Sequence, residues 1–193
     1  MELCVFQGTF NPIHNAHLRV AMHVLNMYNF DKLVFIPAAN PPHKDCDSKY
    51  SLHRLKMAEL AIRTNPKFAV SDIEYRRDGK SYTYLTIKEL YKTYGKVSFI
   101  IGTDAFKKIE TWYETDKLKE LVKFIVFIRE DNFDISKYDY LKDKGYDFEF
   151  QTLPYQDISS TELREKIKNG EDIKSFVPAE VEEYIKKNGL YKD

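Results

Sequence analysis

Short apolar runs recur along the chain at Leu3 to Phe6, Leu33 to Ile36, Phe68 to Val70, Val97 to Ile101 and Phe124 to Ile128, and each predicts a buried strand. Between them the apolar positions change to helical spacing. Leu18, Ala21, Met22 and Leu25 mark a helix over Ala16 to Tyr28, a second runs from Ser51 to Arg63, and Ile87, Leu90, Tyr91 and Tyr94 form the stripe of a third over Thr83 to Tyr94. Strand alternating with helix predicts an α/β chain whose parallel sheet is covered on both faces. Further on, the charged and aromatic stretch from Glu130 to Tyr155 predicts a short helix and then a last strand in Tyr146 to Phe150. A capping box from Ser159 to Glu162 opens another helix, and Val177 to Gly189 reads as a closing helix with Pro at its start and Gly at its end. The expectation is one domain over residues 1–193, with the helices from about residue 159 packed onto it.

In open parallel sheets ligands bind beyond the carboxyl ends of the strands, so the strand exits are the places to search for chemistry. The first exit reads Gln7-Gly-Thr-Phe-Asn-Pro-Ile-His-Asn-Ala-His17. Gly8 and Thr9 leave little side chain over the backbone, so N–H groups from Gly8 to Phe10 and at the next helix start can face an anion. Pro12 fixes φ before that helix, and His14 and His17 lie on one face of its first turn. All five histidines fall within the first 53 residues, which concentrates neutral-pH proton and phosphate chemistry at this end.

The second exit is the stiff loop from Pro37 to Lys44, which brings Lys44, with His43, over a phosphate. Ser51 then reads as a helix N-cap, with His53 and Arg54 as surface residues. After the third strand, Ser81 or Thr83 suits the cap of the next helix. Gly102 and Asp104 at the fourth exit suit a sugar-hydroxyl reader, a pattern that ordinary turns share. Trp112, the only tryptophan, fits either core packing or a platform for a heteroaromatic ring. Ser159, Ser160 and Arg164 at a helix start suit the tail of a triphosphate.

Composition narrows the choice of partner. Lys plus Arg equals Asp plus Glu at 30 each, so no global positive field recruits nucleic acid and a small anionic substrate fits better. A hydrophobic fraction of 43% supports a globular chain. Neither a membrane-length apolar run nor a signal-peptide pattern is present, which predicts a cytoplasmic protein that needs no membrane. Cys4 reads as a small buried thiol, and its spacing from Cys46 suggests neither disulfide nor zinc. Two histidines three apart also suit a metal, but no third ligand follows at ligand spacing, and the anion reading is preferred.

GTFNPIHNAH resembles the signature of the nucleotidyltransferase superfamily. The order GTFNPIH, PPHK, RDGKSYT, IIGTDA, ETWYE, ISSTELR and a closing VP…YI…GLY resembles, over nearly the whole chain, the bacterial nicotinate-nucleotide adenylyltransferase family. The resemblance implies a Rossmann-like fold, ATP and nicotinate mononucleotide as substrates, and Mg²⁺ bound mainly through the ATP phosphates, without a protein metal site. It also implies that His14, His17 and Lys44 are catalytic and that Gly8, Thr9, Phe10, Gly102, Asp104, Ser159, Ser160 and Arg164 bind ATP. Lys44, Thr83 and Trp112 would then bind the nicotinate nucleotide. A homo-oligomer stays open. Gln7 and Ala16 stand where the family usually has glycine, and Gln7 is long enough to add a contact to a substrate. Alternatives are a sister nucleotidyltransferase using pantetheine phosphate or another phosphate acceptor, and a non-catalytic nucleotide sensor.

Overall fold

A computed structural model describes residues 2–42, 48–152 and 158–192. Among these residues six strands form one parallel sheet in the order β3-β2-β1-β4-β5-β6. In chain order the elements are β1 (Leu3–Gly8), α1 (Asn15–Met27), β2 (Lys32–Pro37), α2 (Ser51–Ile62), β3 (Phe68–Val70) and α3 (Thr83–Tyr94). They continue with β4 (Val97–Gly102), the single turns α4 (Thr103–Phe106) and α5 (Thr115–Leu118), and β5 (Val122–Ile128). Last come the single turn α6 (Tyr140–Asp143), β6 (Phe148–Thr152), α7 (Ser160–Lys168) and α8 (Ala179–Lys187). The architecture is Rossmann-like α/β.

Side chains alternate across each strand and so feed two cores. Cys4, Phe6, Leu33, Phe35, Ile100 and Phe127 point to one face, where Ala21 and Val24 of α1, Met57 and Ala58 of α2, Leu163 of α7 and Val181 of α8 cover them. Leu3, Val5, Phe99, Ile101, Phe124 and Val126 point to the other, under Ile87 of α3, Phe106 of α4, Leu118 of α5 and Leu141 of α6. Each such side chain, fully buried, is worth about 1.5–3 kcal/mol, so both faces of the sheet hold helices firmly. Cys4 is a buried thiol whose pKa burial pushes up.

β1 pairs with β2 on one side, Gly8 opposite Pro37, and with β4 on the other, Val5 opposite Phe99. The strand order therefore reverses at β1, and its carboxyl end is the switch point of the sheet.

Three local expectations fail for identifiable reasons. Ser51 does not cap α2: the preceding Tyr50 takes the cap position, and the Ser51 hydroxyl donates to the Ala39 carbonyl at 3.0 Å. Arg54 is 0% exposed rather than on the surface, because its guanidinium reaches under the β2 exit to the Ala38 and Ala39 carbonyls. Its neighbour His53 is half-buried against the Tyr184 hydroxyl of α8 at 2.9 Å. Neither Ser81 nor Thr83 caps α3, whose cap position is Tyr82 with no side-chain bond. Elsewhere the capping box of α7 forms as read, and α8 starts after Pro178 and stops just before Asn188 and Gly189.

Candidate active site

The exit of β1 is built around a ring, not around an open backbone. Phe10 adopts φ +48°, which turns its side chain back over Gly8, and a Cβ on Gly8 would lie 2.9 Å from two ring carbons. The glycine thus admits the Phe10 ring, which is buried edge-on against Phe6 and His17. The Phe10 ring joins the core, and the chain runs on from it to the start of α1.

α1 begins there with His14 as its N-cap and His17 one turn in. The His14 backbone N–H donates to His17 Nδ1 at 3.2 Å, so a neutral His17 carries its proton on Nε2. The two imidazoles stack with centroids 3.7 Å apart and planes 31° apart. His14 is 4% exposed. Its pKa is lowered to about 4, first by burial and then by the Arg129 charge, with Glu162 opposing. At neutral pH His14 is therefore an uncharged hydrogen-bonding ring rather than a cation.

α7 brings its own amino end to the same loop. Ser160 Oγ donates to the Pro12 carbonyl at 2.9 Å and Arg164 Nη1 to the Asn11 carbonyl at 2.8 Å. Tyr191 hydroxyl donates to Asn11 Oδ1 at 2.7 Å. Ser159 accepts from the Glu162 N–H at 3.2 Å, while a Glu162 oxygen accepts from the Ser159 N–H at 2.7 Å. Of the three residues read from the sequence as triphosphate ligands, Ser160 and Arg164 fasten the 11–12 backbone while Ser159 caps α7 itself, and the amino ends of α1 and α7 are thereby tied to one loop. Their dipoles and N–H groups favour an anion between them.

The fourth exit lies on the other side of the switch point. Gly102 leaves room for Arg129, whose Nε would lie 3.0 Å from a Cβ there. Asp104, with its side chain 69% exposed, sits 3.7 Å from the Arg129 guanidinium. Arg129 follows the end of β5 and is the functional candidate that pattern reading missed, although the rule of strand exits points straight at it. The adjacent Glu130 accepts from Thr103 and Lys107.

Thr83 opens α3, half-buried. Trp112 is half-buried too, with its edge-on contact to Phe99 at 6.4 Å between centroids. Tyr113 beside it stacks on Tyr82 at 4.5 Å. Trp112 thus packs against the core, with the Tyr82–Tyr113 pair beside it at the start of α3. Lys44 and His43 lie outside the described residues. The Gln7 amide donates to Glu74 at 2.5 Å.

Comparison with known proteins bears on this geometry. The cytidylyltransferase-like family model matches residues 5–166. A Clostridium tetani protein described as a probable nicotinate-nucleotide adenylyltransferase is 41% identical, covering 97% of this chain and 98% of its own. A Caldicellulosiruptor bescii protein of the same description is 38% identical over the full length of both. Among solved structures, a Plasmodium falciparum nicotinic acid mononucleotide adenylyltransferase complexed with NaAD superposes with TM-score 0.78 at 26% identity, covering 98% of this chain and 97% of that one.

Proposed function

Because the chain belongs to the cytidylyltransferase-like family, and within it to the nicotinate-nucleotide adenylyltransferases, we propose that it transfers AMP from ATP to nicotinate mononucleotide. The products are nicotinate adenine dinucleotide and pyrophosphate, a step in NAD synthesis. An oxygen of the mononucleotide phosphate attacks the α-phosphorus in line, and the bond to the pyrophosphate oxygen breaks. No protein nucleophile is needed. Catalysis consists of placing two anions together and stabilising the charge that develops on the five-coordinate phosphorus and the leaving group.

The observation that carries this reading is the stacked His14–His17 pair at the amino end of α1, with α7 tied to the same loop. His17 Nε2–H is the donor suited to the transferred phosphoryl group, because its other nitrogen is already committed to the His14 N–H. His14, uncharged, contributes a polar ring without adding a positive charge that burial would penalise. Arg129 adds the fixed cation near the same place, and Lys44 a second one from the loop after β2. Asp104 suits a ribose hydroxyl. Thr83 and Trp112 suit the nicotinate ring.

Mg²⁺ fits this site only as a companion of the nucleotide. The nearby carboxylates are engaged, Glu162 in the α7 cap and Asp104 beside Arg129, so phosphate oxygens and water would hold the ion. When bound it neutralises the departing pyrophosphate. Among the described residues no helix is long and apolar enough to cross a membrane, in keeping with work on water-soluble substrates.

The test is direct. Incubated with ATP, nicotinate mononucleotide and Mg²⁺, the protein should release pyrophosphate in step with dinucleotide. No product with this substrate or with its amide counterpart would overturn the proposal.

A further inference from the structure

Glu74 is a carboxylate with 2% exposure that lies off the phosphate machinery, and its partners come from three separate parts of the sheet edge. One oxygen accepts from Gln7 Nε2 at 2.5 Å and from Thr86 Oγ1 at 2.6 Å. The other accepts from the Ala39 backbone N–H at 3.3 Å. Gln7 belongs to β1, Ala39 to the loop leaving β2, and Thr86 to the first turns of α3. Gln7 Oε1 is buried without a hydrogen-bond partner, so the bond to Glu74 is what orients this side chain; flipping the amide would set two acceptors face to face.

The loop after β2 is bound equally closely to the entry of α3. Asn40 N–H donates to Ser81 Oγ at 2.8 Å, and Ser81 N–H donates back to the Asn40 carbonyl at 2.8 Å. Arg54, from beneath, donates to the Ala38 carbonyl at 2.6 Å. Thr83 therefore stands between two anchored neighbours, Ser81 and Thr86, and both anchors lead to residues 38–40 or to Glu74. The phosphate half is held by other bonds, from α7 to Asn11 and Pro12.

We propose that Gln7 and Glu74 are positioning residues for the acceptor nucleotide: together they set the β2 exit loop against the start of α3, so they govern how nicotinate mononucleotide binds and leave ATP binding alone. The inference rests on the adenylyl-transfer reading above and deepens it. Neither residue touches substrate. Gln7, a long side chain at the last strand position before Gly8, is the strut from β1 to that second half-site.

The experiment is steady-state kinetics of full-length Gln7→Leu, which keeps the bulk and removes the donor. KM for nicotinate mononucleotide should rise about five- to tenfold, the equivalent of one lost hydrogen bond, with kcat and KM for ATP within about twofold. An unchanged KM for the mononucleotide, or both KM values rising together, would overturn the proposal. Thr86→Val, which deletes a single hydroxyl from the same carboxylate, should show the same split if Gln7→Leu folds poorly. Hydrogen exchange at the Ala39 and Asn40 amides should quicken in either variant, and unchanged exchange would also count against the pair. Because that measurement needs no substrate, it separates failure of this inference from failure of the adenylyl-transfer reading, which the unsubstituted enzyme alone decides.

Discussion

The two halves of the cleft are held by different physics. On the phosphate side, contiguous residues from Gly8 to His17 fold onto themselves: a ring fills the space over a glycine, two imidazoles stack, and α7 adds bonds to backbone carbonyls. On the acceptor side, residues 7, 39, 54, 74, 81 and 86 meet only through the tertiary fold, and buried polar groups join them. The first half is a local motif of uncharged rings and helix amino ends, proposed above to receive the phosphates. The second is a polar frame suited to hold distance, and substitutions should therefore separate the two: activity more than stability at neutral pH on one side, stability and acceptor placement on the other.

The largest expected effect is His17→Ala. Losing one preorganised donor to a developing phosphoryl charge lowers turnover about 10²–10³-fold, while the unfolding free energy falls by only about 1 kcal/mol, chiefly for the lost capping bond from the His14 N–H. A rate near the parent's would erase the distinction, since the phosphate half would then hold no chemistry.

Next is the acid sensitivity of His14. Its folded pKa of about 4 lies below the 6.5 of an unperturbed imidazole, so below 6.5 the unfolded chain takes up a proton that the folded one refuses. Stability from this group is complete above pH 6.5, falls as pH drops from 6.5 towards 4, and is level below that. The swing is roughly 3 kcal/mol. Urea unfolding across this window should show the parent losing more than His14→Asn, and parallel profiles would mean that the ring is hydrated rather than buried.

Arg54→Met probes the opposite half. It strips the Ala38 carbonyl of its 2.6 Å partner and should lower unfolding free energy by about 2 kcal/mol, with a rise in KM for the mononucleotide and no shift in KM for ATP. Equal loss for both substrates would show that the two halves are one cooperative unit.

The same contrast explains what could be read from the chain beforehand. Five strands were legible as continuous apolar runs, because both faces of a parallel sheet are buried, and the sixth as an alternation; α1, α2 and α3 were legible from helical spacing, and α7 and α8 from their end signals. The single turns α4, α5 and α6 carry too few residues for any period to show. In the site, His14 and His17 were legible because their neighbours in space are neighbours in sequence. Arg54 was not: an arginine on a helix has surface as its default, and among the described residues it is the carbonyls of Ala38 and Ala39 after β2 that receive its guanidinium. Arg129 was hidden for a related reason, since its importance lies in the empty side of Gly102 and in its charge near His14. Ser160 and Arg164, read as ligands of a triphosphate tail, bond the Pro12 and Asn11 carbonyls of the loop before α1.

That last point yields the smallest effect and the finest division. Ser159→Ala removes the hydroxyl that accepts from the Glu162 N–H at 3.2 Å, and an N-cap loss costs about 1 kcal/mol. Glu162 keeps its bond from the Ser159 backbone at 2.7 Å, so the helix start loosens without collapsing. α7 acts on the histidine loop through Ser160 and Arg164, one residue and one turn further in. If its role is to fasten that loop, Ser159→Ala should lower Tm slightly and leave KM for ATP nearly unchanged, whereas Arg164→Gln, which weakens the hold on Asn11, should raise it. If the Ser159 hydroxyl instead meets the triphosphate directly, KM for ATP would rise in Ser159→Ala by more than the small loss of stability accounts for, and α7 would have to be counted as a ligand rather than a brace.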